Sequence, residues 1–208
     1  MDKIDCLPGQ PRGAFLSQPH ETMKFSMALD QMHHELGGVL AQITPEIAET
    51  LIGEVESAPR LFGCASGRSG FILRGFLMRL MHLGYTVYFV GETTTPRIRP
   101  GDLLVVLSGS GETAWAREMQ RKAKAVGART LALTAHADST IGREAQLVIT
   151  IPGTTKLTRT QETASMQCPG SLFEQTIFLF LEAVVLILYQ RRSGPDQGDV
   201  LERHADLE

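Results

Sequence analysis

Apolar positions along the chain repeat with two different periods, and the change between them outlines the fold. Between residues 21 and 43, Phe25, Ala28, Leu29, Met32, Leu36, Val39, Leu40 and Ile43 recur at three- and four-residue spacing, which lines them along one side of a helix. Gly37-Gly38 is where that helix is expected to break or bend. Thr44-Pro45-Glu46 reads as a second start, with Thr44 as N-cap and Pro45 in the first turn. Ile47, Leu51, Ile52 and Val55 give this second helix a single apolar face.

Beyond residue 60 the pattern changes to short apolar or β-branched runs separated by helical ones. Strands are expected at 60–65, 85–90, 102–107, 129–134 and 146–151. Phe71, Ile72, Phe76, Leu77, Leu80 and Met81 mark a helix ending near Gly84, and a further helix over 114–126 stops at Gly127. A short helix is expected within 137–145, and a strongly apolar one runs from about 172 to 192. Strands alternating with helices imply an α/β three-layer sandwich, a five-stranded parallel sheet flanked by helices, with an N-terminal helical segment. The long polar loop 154–169 is a candidate lid. Pro8, Pro11 and Pro19, with Gly9 and Gly13, suggest an irregular arm over 1–20; one domain covers 21–192, and 193–208 is a polar tail.

Composition narrows the class. At 208 residues, with 43% hydrophobic and 21% charged content, the chain fits one soluble globular domain. A net charge of −3 offers no electrostatic basis for binding nucleic acid. Cys6, Cys64 and Cys168 are too sparse for a disulfide framework or a zinc site, so a reducing cytoplasm is expected. No signal peptide is expected at the N-terminus. The run 177–189, interrupted by Glu182, is shorter than a membrane span and is expected to form a buried helix. His33-His34 are adjacent, so on a helix they diverge and do not make a metal pair.

The chemistry concentrates in Ser108-Gly109-Ser110-Gly111-Glu112-Thr113, which lies between a strand and a helix start. Glycines permit a sharp turn and a close approach to a ligand, and a helix start favours an anion. Hydroxyls from Ser108, Ser110 and Thr113 complete a candidate phosphate cradle; the alternative is that they only cap the helix. Ser66-Gly67-Arg68-Ser69-Gly70 is a second turn of the same kind, also at the carboxyl end of a strand, where open α/β sheets bind ligands. Two such turns favour a phosphorylated ligand. Neither matches a dinucleotide fingerprint or a P-loop.

These pieces carry a resemblance. Gly67-Arg68-Ser69-Gly70, Met78-Arg79-Leu80-Met81-His82-Leu83-Gly84, Val90-Gly91-Glu92-Thr93-Thr94-Thr95-Pro96, the Ser108–Thr113 turn, Gly170-Ser171-Leu172-Phe173-Glu174 and Glu202-Arg203-His204-Ala205-Asp206-Leu207 occur in order. Together they resemble the sugar isomerase (SIS) domain family, and within it the 6-phospho-3-hexuloisomerases. The resemblance implies a flavodoxin-like SIS fold and isomerisation of D-arabino-hex-3-ulose 6-phosphate to D-fructose 6-phosphate, the step after formaldehyde fixation in the ribulose monophosphate pathway. It also implies a phosphorylated hexulose as ligand, no metal or organic cofactor, and a homotetramer with active sites between subunits. Neither nucleic acid nor membrane is an expected partner. Another SIS sugar-phosphate isomerase, or a non-catalytic sugar-phosphate sensor, remains the alternative.

Within that resemblance, Glu174 is the candidate base for a cis-enediolate mechanism; without it, Glu174 reads as a first-turn residue favoured by the helix dipole. Ser69, Ser108, Ser110 and Thr113, with the N–H groups of Gly109 and Gly111, are the candidate phosphate ligands. Arg68 either adds charge there or forms an ion pair, and Glu112 is expected to orient its loop or a neighbouring subunit. His204, in the tail, is the candidate proton shuttle across an interface. His82 lies too far along its helix to reach its own subunit's phosphate turn, so it serves a neighbour or packs structurally. Thr93, Thr94 and Thr95 line a sugar pocket or an interface.

Overall fold

The structure is a computed structural model that describes residues 23–156, 164–193, 200 and 202–204. The arm over 1–20, Cys6, the middle of the candidate lid and most of the tail lie outside the described residues.

Two helices come first, α1 (Phe25–Leu40) and α2 (Pro45–Ser57). Then β1 (Leu61–Ala65), α3 (Gly67–His82), β2 (Val87–Phe89), β3 (Leu103–Leu107), α4 (Ala114–Ala125), β4 (Arg129–Thr134), α5 (Thr140–Glu144) and β5 (Leu147–Thr150) alternate. The long helix α6 (Ser171–Ser193) closes the domain. All strand pairs are parallel and the sheet order is β2-β1-β3-β4-β5. The expected three-layer α/β sandwich is therefore present.

Both faces of the central strands are buried, which is why they read as unbroken apolar runs rather than as alternating ones. Leu61, Leu103, Val105, Leu107, Leu131 and Leu133 face α2, α3 and α6, where they meet Leu51, Leu73, Phe76, Phe173, Ile177 and Leu181. Phe62, Cys64, Leu104, Val106 and Ala132 face the opposite layer, built on Ala116 and Ala123 of α4 and Ile141 of α5. Burial pushes the Cys64 thiol up to about 12.

Three local expectations change. α1 runs unbroken through Gly37-Gly38; a side chain at either position would meet open space, so the pair lies on the outside of the helix. Its intrinsic cost, about 1 kcal/mol per glycine, is offset by packing of the opposite face, where Val39 is buried. The 85–90 strand shortens to β2, because its edge position leaves it one neighbour only. The apolar run 177–189 belongs to a 23-residue helix whose length and composition would suffice to cross a membrane. Here Phe173, Ile177, Phe180, Leu181, Val184 and Leu188 are instead buried against the sheet.

Candidate active site

The sheet order changes direction between β1 and β3. Chain order runs from β1 outward to β2, then returns to β3 on the other side. A crevice opens at such a switch point, outside the carboxyl ends of the strands. Ala65 and Leu107 are partners in the β1–β3 register. The two hydroxyl-rich turns that follow them, 66–70 and 108–113, therefore leave the sheet side by side.

The second turn is braced from within. Ser108 is buried; its Oγ accepts from the Gly111 N–H at 3.2 Å and lies 2.9 Å from Thr113 Oγ1. The Gly111 N–H also reaches the Ser108 carbonyl at 3.0 Å, so it is committed to the turn and is not a free phosphate donor as the sequence suggested. Ser110 Oγ accepts from the Glu112 N–H, and Glu112 Oε1 accepts from the Thr140 N–H at 3.0 Å. Glu112 thus orients its own loop against the start of α5. Gly111 has φ +66°, and a Cβ there would sit 1.9 Å from Ser139 Oγ, so glycine is required twice over. The capping alternative is not realised: neither Ser66 before α3 nor Thr113 before α4 makes a side-chain cap hydrogen bond. Ser69 is half-buried in the first turn of α3.

The turn at 108–113 touches the helix that carries Glu174. A Cβ on Gly109 would lie 2.9 Å from Cδ1 of Phe173, whose next residue is Glu174. Glu174 is 7% exposed, in the first turn of α6, with its N–H bonded to the Gly170 carbonyl. Its Oε2 lies 3.0 Å from Arg68 Nε, and Arg68 also approaches Ser171 Oγ at 3.4 Å. The structure thus brings Arg68 to Glu174 and Gly109 to Phe173, and sets the turns that carry Ser69, Ser108, Ser110 and Thr113 side by side at the same sheet edge. Arg68 makes the ion pair that was one of its two expected roles, but the partner is the candidate base.

Two residues near this edge carried no motif signal. The Lys156 side chain and the Glu174 carboxyl both come within 4.0 Å of the position a Cβ on Gly170 would take. His136, buried just beyond β4, lies 3.4 Å from Thr155 Oγ1 through Nε2. Lys156 stood in the loop 154–169, read as a candidate lid, and His136 fell between the strand expected at 129–134 and the short helix expected within 137–145.

His204 is not beside Glu174 in the same chain. Its ring stacks on His82, with centroids 4.3 Å apart, while Arg203 donates to the His82 carbonyl. His82 ends α3, on the order of 22 Å along the helix from the Gly67 end at ~1.5 Å per residue. Beside the pair is a cavity of about 290 Å³ lined by residues that include Arg79, His82, Glu182 and Tyr189. Thr95 donates to the Phe89 carbonyl at 2.6 Å and shapes the loop after β2. Among the described residues, no group of three or more His, Cys, Asp or Glu is placed to hold a metal ion.

This switch-point crevice, walled by two serine- and glycine-rich turns, has the architecture of a sugar-phosphate-binding α/β domain. The family model of the SIS domain matches residues 54–177, and the chain belongs to that family. The 3-hexulose-6-phosphate isomerase of Bacillus subtilis (strain 168) is 38% identical over 186 residues, 89% of this chain and 100% of that protein. The 3-hexulose-6-phosphate isomerase of Mycobacterium gastri is 39% identical over 180 residues, 86% of this chain and 89% of the relative. A solved structure from Methanococcus jannaschii, from which a molecular function of 3-hexulose-6-phosphate isomerase was inferred, superposes with a TM-score of 0.73 at 31% identity. It covers 87% of this chain and 99% of that one.

Proposed function

We propose that this chain is a ketose-phosphate isomerase that converts D-arabino-hex-3-ulose 6-phosphate to D-fructose 6-phosphate, the step after formaldehyde fixation in the ribulose monophosphate pathway. The relatives of that activity support the reading along most of the chain. The observation that carries the chemistry is the buried Glu174 carboxylate, held at the switch-point crevice between the two hydroxyl-bearing turns.

Moving the carbonyl from C3 to C2 requires one proton to leave C2 and one to arrive at C3. Glu174 takes the first, giving a cis-enediolate, and returns it to the neighbouring carbon on the same face, while the hydroxyl proton of O2 passes to the adjacent O3. Lys156, whose stem passes beside Gly170, is the candidate cation for the negative charge that develops on O2 and O3, with Arg68 beside Glu174 until it turns to the phosphate. The phosphate lies on the turns, held by Ser69, Ser110 and Thr113, with Ser108 behind them. If Ser108 donates to Thr113, the Thr113 hydroxyl hydrogen is left for the ligand. Gly109 contributes space and close approach. Arg68 exchanges between Glu174 and the incoming phosphate; its side chain is 63% exposed and has room to swing.

The proposal includes a homotetramer in which His204, stacked on His82, serves the site of a neighbouring subunit. Its distance from Glu174 along α3 supports this, as do the exposed apolar side chains Phe25, Phe71, Phe178 and Leu186. The cytoplasm is the proposed compartment; the free thiols of Cys64 and Cys168 fit a reducing one.

The test is a coupled assay in which purified protein receives enzymatically generated D-arabino-hex-3-ulose 6-phosphate and fructose 6-phosphate is followed. The wild type turns over, and Glu174→Gln loses about 10²- to 10⁴-fold in kcat, the usual scale for a general base. Binding of the phosphosugar without turnover by the wild type would overturn the reading in favour of a sensor. Turnover of a different sugar phosphate alone would replace the substrate.

A further inference from the structure

Glu35, in the middle of α1, is a buried carboxylate that the proposed chemistry does not use. Its Oε1 accepts from Gln31 Nε2 at 2.8 Å and from the Met166 backbone N–H at 2.9 Å. Its Oε2 accepts from Ser165 Oγ at 2.7 Å and from Gln167 Nε2 at 2.9 Å. All four donors are neutral, and three of them belong to residues 165–167. Burial pushes this carboxyl up, but the bonds from Gln31, Ser165, Met166 and Gln167 outweigh it and hold it at about 2. It is therefore an anion at any pH used to assay a sugar isomerase.

What these bonds fasten is the stem leading into α6. The Gln167 N–H returns to Ser165 Oγ at 3.0 Å, closing the segment on itself. Only Cys168, Pro169 and Gly170 then separate it from Ser171. The Ser171 N–H bonds the Cys168 carbonyl at 2.9 Å, and the Glu174 N–H bonds the Gly170 carbonyl at 3.0 Å. Hydrogen bonds joined by two short stretches of backbone thus link the Glu35 carboxylate to the turn of helix that carries Glu174. The phosphate turns hang on β1, β3 and α5; they meet the start of α6 at Phe173 and through Arg68, but none of the hydrogen bonds from Glu35 to residues 165–167 ends on them.

We propose that Glu35 is a positioning residue, whose carboxylate clamps residues 165–167 to α1 and so sets where Glu174 stands at the start of α6. The proposal rests on Glu174 being the base. Because the bonds of the clamp lead toward the base and none of them ends on a phosphate turn, its loss is expected chiefly in kcat, with KM little changed. In Glu35→Gln one oxygen becomes an NH₂ group that must face donors, so roughly half the clamp is removed while side-chain size is kept.

The experiment compares wild type, Glu35→Gln, Gln167→Ala and Glu174→Gln in the coupled assay, in thermal melts, and by hydrogen exchange of the segment 164–168. Glu35→Gln is expected to lower kcat about tenfold, since a misplacement of about 1 Å costs up to about 10²-fold, with KM within about twofold of wild type. The Met166 amide exchanges faster, and the melt moves little. Gln167→Ala, which attacks the clamp from the loop side and leaves α1 intact, shows the same pattern more weakly. Unchanged kcat in Glu35→Gln with opened amides at 164–168 would overturn the proposal, as would a lowered melt with turnover retained. A rise in KM alone would assign the clamp to substrate binding and equally overturn it. Failure of the base reading is seen separately, as turnover kept by Glu174→Gln.

Discussion

Arg68 Nε stands 3.0 Å from Glu174 Oε2, an ion pair that joins the start of α3 to the start of α6 across the switch-point crevice. The two partners differ in freedom: the Glu174 side chain is 9% exposed and the Arg68 side chain 63%. The carboxylate is held in place and the guanidinium is able to leave it. An exposed cation over a held carboxylate suits the proposed site, in which Arg68 meets the incoming phosphate and Glu174 acts as the base.

Arg68→Leu removes that cation without adding a polar group. KM for the phosphorylated substrate is expected to rise at least about tenfold, the scale of one charged hydrogen bond at about 1.5–3 kcal/mol. The circular dichroism spectrum stays unchanged. Steady-state kinetics check this, and an unaltered KM would confine Arg68 to pairing with Glu174.

Gly111→Ala places a Cβ 1.9 Å from Ser139 Oγ, at a backbone φ of +66°. Ser139 caps α5 through the Gly142 N–H, so the clash also disturbs that helix start. Strain and overpacking together are expected to cost on the order of 2–4 kcal/mol of stability. Binding of the phosphosugar weakens as the turn distorts. Urea denaturation and a binding titration on the same preparation read both effects.

The substrate keto sugar, with O6 phosphorylated, cannot close a five- or six-membered ring, whereas fructose 6-phosphate is mostly cyclic. An acid that opens or closes the ring is needed chiefly on the fructose side. His204→Ala is therefore expected to impair the forward reaction much less than Glu174→Gln does. Equal forward losses would remove the ring-opening role. Co-expression of the two variants, assayed from fructose 6-phosphate where the ring-opening acid is needed, tests the shared site: activity above that of either alone means that His204 and Glu174 come from different subunits.

Glu144 is held at about 2 by hydrogen bonds from Arg117 and Arg121, with their charges assisting. The folded pKa is depressed, so the stabilisation is complete above the unfolded value near 4.5 and is lost as pH falls toward 2. Urea midpoints should therefore fall between pH 5 and pH 2.5 in the wild type. Glu144→Gln is less stable at pH 7 and falls less steeply over the same interval. Parallel slopes in the two proteins would show that the pair does not contribute.

Much of this was legible along the chain. The runs Leu61–Ala65 and Leu103–Leu107 are buried on both faces, which makes their sequence signal continuous and strong. The glycine- and serine-rich turns announced themselves because a tight turn at a strand end admits few residue types. Glu174 needed its family motif, since a lone first-turn glutamate on a helix is ordinary. Gly37-Gly38 misled because helix propensity is local and is overridden when the opposite face packs.

The sequence by itself determined the alternation of strands and helices, the sheet's double burial, and the residue types able to meet a phosphate. Periodicity and turn chemistry act over a few residues and need no distant partner. Only the tertiary structure decided that β1 and β3 are neighbours, so that the two turns share one crevice. It also decided that Arg68 meets Glu174, that Glu35 meets residues 165–167, and that His204 rests on His82. Each of these pairs joins distant parts of the chain. Such contacts depend on how whole helices pack on the sheet, which no local pattern of residues encodes.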